Sequence, residues 1–240
     1  MLNLFTGKGG VGKTRLAVLN YLHFQGVFFA DNSATEPILK ELNAPSPPLC
    51  AAALEDLMSD LFVRVLKVQA IADWLGKKKL LQNLMRMAPN LEELLILHRW
   101  VKTAESQNVI VDAPSTGTFI GTLRSVKTAL EMFDSGAIRE MAVQIDEFFS
   151  RAGRVQVFVV SLPENSALEE MREIEKAVRE IYPHIVIHRL LNRIHALPPV
   201  DLDMPTALRE FCTRRSHLEQ KRIQGVSFSR QFAEGASKWG

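Results

Sequence analysis

The stretch FTGKGGVGKT, residues 5–14, decides how this chain is read. It satisfies the phosphate-loop pattern G-x-x-x-x-G-K-S/T with Gly7, Gly12, Lys13 and Thr14. With glycine at about 7% of ordinary usage, a random chain of this length matches roughly once in a hundred. The apolar run Leu2 to Thr6 before it suits a buried strand, and a helix is expected from Gly12 to about Phe24. That strand–loop–helix context is what the mechanism needs. Glycines let the backbone curl so that several N–H groups face one anion, and the helix N-terminus adds partial positive charge. The expected cradle is Gly7, Lys8, Gly9, Gly10, Val11 and Gly12, followed by Lys13, Thr14 and Arg15. Lys13 is expected to reach the β- and γ-phosphates of ATP, and the Thr14 hydroxyl to ligate Mg²⁺.

Working outward, short apolar strands alternate with helical periodicity. Strands are expected at Val27 to Ala30, at Val109 to Val111 ending in Asp112, at Val155 to Val160 and at Ile185 to Leu191. Helices are expected around Leu91 to Trp100, along Phe119, Leu123, Val126, Leu130 and Phe133, over Ile138 to Phe149, after the capping-box pattern SALE at 166–169, and at 205–222. NAPSPP, 43–48, reads as a loop. The fold class is α/β, a doubly wound and mostly parallel sheet. The whole of 1–240 reads as one domain, with a helical insertion at about 50–106.

Bulk properties narrow the function classes. The 240 residues are 47% hydrophobic and 23% charged, enough for a sizeable core. A net charge of +2 gives no field that points to nucleic acid, and no nucleic-acid partner is expected. Leu16 to Ala30 has no formal charge but holds Asn20, Tyr21, His23, Gln25 and Gly26, so it is no membrane span. The glycine-rich motif starts too early for a signal peptide, and Cys50 and Cys212 have no metal-like spacing. A cytoplasmic protein is expected.

GKGGVGKT resembles the deviant phosphate loop of the MinD/ParA and ArsA group of ATPases. In that group the extra lysine, here Lys8, reaches the nucleotide of the other subunit in a dimer. Phosphoryl transfer spreads negative charge over the phosphates, and a cation supplied in trans stabilises it. VIVDAPSTG, 109–117, is similar to the D-x-P-x-x-G switch of the arsenite-pump ATPase and of the ATPase that targets tail-anchored membrane proteins. By that resemblance Asp112 helps hold Mg²⁺, and Pro114 to Gly117 sense the γ-phosphate. In RLLNRI, 189–194, the resemblance makes Asn192 the adenine-recognising residue; an asparagine ending a strand is also an ordinary turn residue. The implied cofactors are ATP and Mg²⁺. The implied partners are ATP/ADP, a second copy or a related ATPase, and a protein client or membrane. The implied function is a dimeric ATPase of the ArsA-like branch. Its alternatives are a non-hydrolysing partner subunit and a MinD/ParA-type positioning ATPase.

The chain also departs from that pattern. The family's water-orienting switch I aspartate aligns with Ser33 in FFADNSATEP, 28–37. Asp31 and Glu36 flank it, and Asp31 is taken as the catalytic candidate. Thr118 stands where relatives have a histidine, there is no C-x-x-C clasp, and there is one phosphate loop. Met58, Met85 and Met87, with Leu61, Phe62, Leu84 and Leu94, suit either a pliable client groove or core packing. Lys77, Lys78 and Lys79 read as a solvated helix start, and His184 and His188 are not placed for a metal.

Overall fold

Strands rich in valine and phenylalanine, apolar on both sides, are stable only between two layers of helices, and that is the arrangement found. The computed structural model describes residues 1–30, 32–44 and 91–192. The elements are β1 (Leu2–Thr6), α1 (Lys13–Phe24), β2 (Val27–Phe29), α2 (Asn32–Glu41), α3 (Leu91–Ser106), β3 (Val109–Asp112), α4 (Thr116–Met132), α5 (Ala137–Ser150), β4 (Val155–Ser161), α6 (Asn165–Ile181) and β5 (Val186–Leu191). The sheet order is β2-β3-β1-β4-β5, and every pair is parallel, rather than mostly so.

One face carries α1 and α2. Phe5, Phe28, Ile110, Phe158 and Val160 pack there against Val11, Ala17, Val18 and Leu39. The opposite face carries α3 to α6, where Leu4, Val111, Val157 and Phe29 meet Leu97, Trp100, Phe119, Ile145 and Met171. Each large side chain removed from water contributes about 1.5–3 kcal/mol. On the first face Phe5 and Phe158 stack with centroids 4.5 Å apart, and His188 stacks on Phe158 at 4.7 Å. These three residues are register partners across β1, β4 and β5.

One element went without an expectation, and one expectation needs correction. Residues 32–41 form a helix, α2, although Pro37 removes one ladder donor. The helix is held because Thr35 and Leu39 are buried on its inner side. The helix at SALE starts earlier, at Asn165. The Leu168 N–H bonds to the Glu164 carbonyl, so Ser166 is already inside the helix and makes no cap. Within the stretch expected as a helical insertion, 91–106 is helical: α3 lies on the sheet, with Leu94 at 1% exposure and Trp100 against Phe29, and 50–90 lie outside the described residues. Leu94 is therefore a core residue, not part of an open groove. The other groove residues, Cys50, Cys212, Lys77 to Lys79 and the helix at 205–222 lie outside the described residues.

Polar ties lock the layers. Arg139 donates to the carbonyls of Leu130 and Phe133 at 2.8 Å each, closing the end of α4. Lys127 pairs with Asp146 and lies 4.6 Å over the Tyr182 ring. Asn3 on β1 donates to Asn20 on α1 at 3.3 Å, both fully or nearly buried. Asn3 Oδ1 and Asn20 Nδ2 have no partner among the described residues. Asn20→Ala orphans the Asn3 amide and should lower unfolding stability by about 1–3 kcal/mol, whereas the double change Asn3→Val/Asn20→Leu should recover most of it. Denaturant melts of the three proteins check this.

Glu175 on α6 accepts from Arg189 on β5 at 2.7 Å and from Arg179 at 3.1 Å. Burial alone raises its pKa, but the hydrogen bonds and charges of Arg189 and Arg179 outweigh it and the pKa falls below the usual 4.5. A depressed carboxylate stabilises the fold above its unfolded pKa, and this stability is lost as pH falls through the folded value. Glu175→Gln should cost about 1 kcal/mol at pH 7, and the gap to wild type should shrink as pH falls below the ordinary glutamate value of 4.5. Urea melts across pH 3–7 measure it.

Candidate functional site

Because all strands run the same way, their carboxyl ends share one edge. At that edge β1 continues into α1 on one face and its neighbour β3 into α4 on the other. A crevice opens where such neighbours diverge. The loop 7–12 spans it. Gly7 has φ +142°, and a Cβ there would lie 2.1 Å from the Val160 carbonyl oxygen of β4. Gly12, the N-cap of α1, has φ +92°, and its Cβ would lie 2.3 Å from Asn192 Nδ2. Both need glycine. Between them a Cβ at Gly9 or Gly10 would meet nothing within 4 Å among the described residues, so on their side the middle of the cradle is open. Val11 is sunk in the core at 2% exposure.

Thr14 and Asp112 meet. The Thr14 hydroxyl donates to Asp112 Oδ2 at 2.6 Å. The aspartate ends β3 in register with Phe5, so it stands beside the start of the loop. Lys13 donates from Nζ to the Lys8 carbonyl at 3.4 Å, folded over its own loop. The first turn of α1 holds no acidic residue to repel an anion.

The segment after Asp112 is tied to β1. The Ala113 N–H bonds to the Phe5 carbonyl at 2.9 Å, and the Thr6 hydroxyl donates to the Pro114 carbonyl at 3.1 Å. Ser115 is the N-cap of α4, and Gly117 in its first turn faces open space where a Cβ would stand. Lys8 lies 3.9 Å from Glu170 of α6, and Glu170 also accepts from the Thr116 hydroxyl at 2.8 Å. No motif marks Glu170; only the packing of α6 beside the two loops shows it. Asn192, one residue past β5, donates from Nδ2 to the Val11 carbonyl at 2.8 Å.

Other expected members are placed differently. The Arg15 guanidinium grips both oxygens of Glu41 at 2.8 Å, tying α1 to α2. Glu36 is exposed and paired with Lys40 at 2.8 Å. Ser33 is the second residue of α2, and Asp31 lies outside the described residues. Among the described residues no three His, Cys, Asp or Glu side chains cluster to hold a metal. A hydroxyl beside one carboxylate does fit Mg²⁺, which takes one or two protein oxygens and completes its shell from phosphates and water.

No protein-family model matches the chain, and no curated protein matches it. A crystal structure of a plasmid partition protein from Borrelia burgdorferi aligns over 94% of this chain and 98% of that one, at 11% identity and a TM-score of 0.40. A likeness that distant decides neither fold nor function, so the geometry above has to carry the argument.

Gly7→Ala should cost about 3 kcal/mol or more, since its methyl meets a backbone carbonyl and its φ disfavours side chains. Gly9→Ala should fold within about 0.5 kcal/mol of wild type. Thermal melts of both variants distinguish a strained loop from a permissive turn.

Proposed function

We propose that this chain binds Mg·ATP at Gly7 to Thr14 and uses it as a switch between a lone subunit and a dimer, in the manner of the MinD/ParA and ArsA group. The observation that carries the reading is the Thr14–Asp112 contact of 2.6 Å beneath an open glycine cradle. It joins the metal-ligand positions of the two motifs from residues 98 apart.

The roles follow from the chain's own groups. Backbone N–H groups of the loop and the start of α1 bind phosphate oxygens. Lys13 leaves the Lys8 carbonyl for the phosphates. That exposed contact is long at 3.4 Å, and little is lost when it breaks. Thr14 and Asp112 hold Mg²⁺, which when bound neutralises developing charge on the phosphates. Lys8 acts in trans on the second subunit's nucleotide. It must first release Glu170, and an ion pair this exposed is worth less than about 1 kcal/mol. Thr116 shares Glu170 with Lys8, so release of Lys8 leaves that carboxylate to the Pro114 to Gly117 segment.

A non-hydrolysing partner subunit is the second reading. Ser33 occupies the position of the water-orienting aspartate, and Glu36 is committed to Lys40. Within the group, the DAPSTG segment favours the ArsA-like branch, and a MinD/ParA-type positioning role is the alternative. A protein client or a membrane surface is the partner either branch would serve, and a cytoplasmic location belongs to the same proposal. Among the described residues no helix is long and apolar enough to cross a membrane.

Phosphate release by wild type, with Lys13→Ala as the blank, and sedimentation with and without Mg·ATP test the proposal. Wild type should release phosphate above the blank and form a dimer only with nucleotide. Lys8→Ala should keep ATP binding but lose about a thousandfold or more in turnover, the scale of a cation supplied in trans. Bound ATP without release favours the non-hydrolysing reading. A lone subunit at every concentration and with every nucleotide would sink the switch.

A further inference from the structure

We infer that Asn192 is a positioning residue whose side-chain amide straps the phosphate loop to the end of β5. The inference rests on the reading of Gly7 to Thr14 as a phosphate site. Two bonds fix the strap. The Asn192 backbone N–H donates to the Ser161 carbonyl at 2.8 Å, extending the β4–β5 pairing by one residue. Its Nδ2 donates to the Val11 carbonyl at 2.8 Å, across 181 residues of chain.

The planar peptide turns this into a statement about the cradle. The Val11 carbonyl and the Gly12 N–H belong to one trans peptide unit and point in opposite directions. Holding that carbonyl toward Asn192 holds the Gly12 N–H away from it, at the start of α1, where an anion is met. Asn192 also presses on Gly12, whose missing Cβ gives the amide its space. At the other end of the loop Gly7 rests on β4 through the Val160 carbonyl. The loop is thus clamped by β4 and β5 at its two ends and open at Gly9 and Gly10 between them. Adenine recognition by the same amide predicts a base-specific effect. The strap predicts one that is blind to the base.

The test is calorimetric binding of Mg·ADP, Mg·GDP and Mg·tripolyphosphate to wild type, Asn192→Ala and Asn192→Asp. Asn192→Ala should weaken all three by the same factor, about tenfold for one lost hydrogen bond. Asn192→Asp keeps the shape if the alanine protein fails to fold. At pH 8 it sets a carboxylate against the Val11 carbonyl and should bind less tightly still. Relative to wild type it should begin to recover as the pH is lowered toward about 4, where an aspartyl carboxyl starts to protonate and becomes a donor. A loss confined to ADP, no loss in either variant, or a deficit that pH does not alter overturns the strap. Wild type that binds none of the three overturns the phosphate site itself, and the strap with it.

Discussion

The short hydrogen bond from Thr14 to Asp112 is the constraint around which the site is arranged. It exists because β1 and β3 are parallel neighbours with Phe5 opposite Asp112. A slip of that register by one residue would turn the aspartate to the other side of the sheet. The loop between Thr6 and Lys13 passes over the strand ends and returns the threonine to the carboxylate. The two motifs are therefore one object, assembled by strand pairing.

The cradle combines stiffness and slack. Its ends are set by close approach at positive φ, Gly7 to the Val160 carbonyl of β4 and Gly12 to the Asn192 side chain just past β5. Its lysines are held by weak, exposed contacts, Lys13 on a carbonyl and Lys8 on Glu170. Rigid donors reduce the cost of ordering when an anion binds, and loosely held cations can be redirected toward it. Phe5, Phe28, Ile110 and Phe158 form the apolar floor that supports this edge.

Legibility varied with the range of the interactions. Strands such as Val155–Ser161 were readable because burial on both faces leaves a continuous apolar run. The helix at Asn32–Glu41 was not: Pro37 and the polar lead-in Asp31, Asn32 and Ser33 suit a loop, and the pattern Thr35, Leu39 is too short to outweigh them. The cap at SALE failed because any helix start with a serine and a glutamate three residues on looks alike, while the true start depends on where the Glu164 carbonyl points. Glu170 carried no local signal, since its partners Lys8 and Thr116 come from separate loops far along the chain.

The sequence by itself determined the chemistry on offer: a glycine loop with Lys8, Lys13 and Thr14, an aspartate ending an apolar strand, and enough alternating pattern for a covered parallel sheet. Those are local facts, set by residue type and spacing along a few turns of chain. Only the tertiary structure decided that Asp112 meets Thr14, that Arg15 faces Glu41 instead of the cradle, that Lys8 rests on Glu170 and that Asn192 holds Val11. Each of these pairs joins distant parts of the chain, and the sheet order that brings them together follows from packing over the whole molecule.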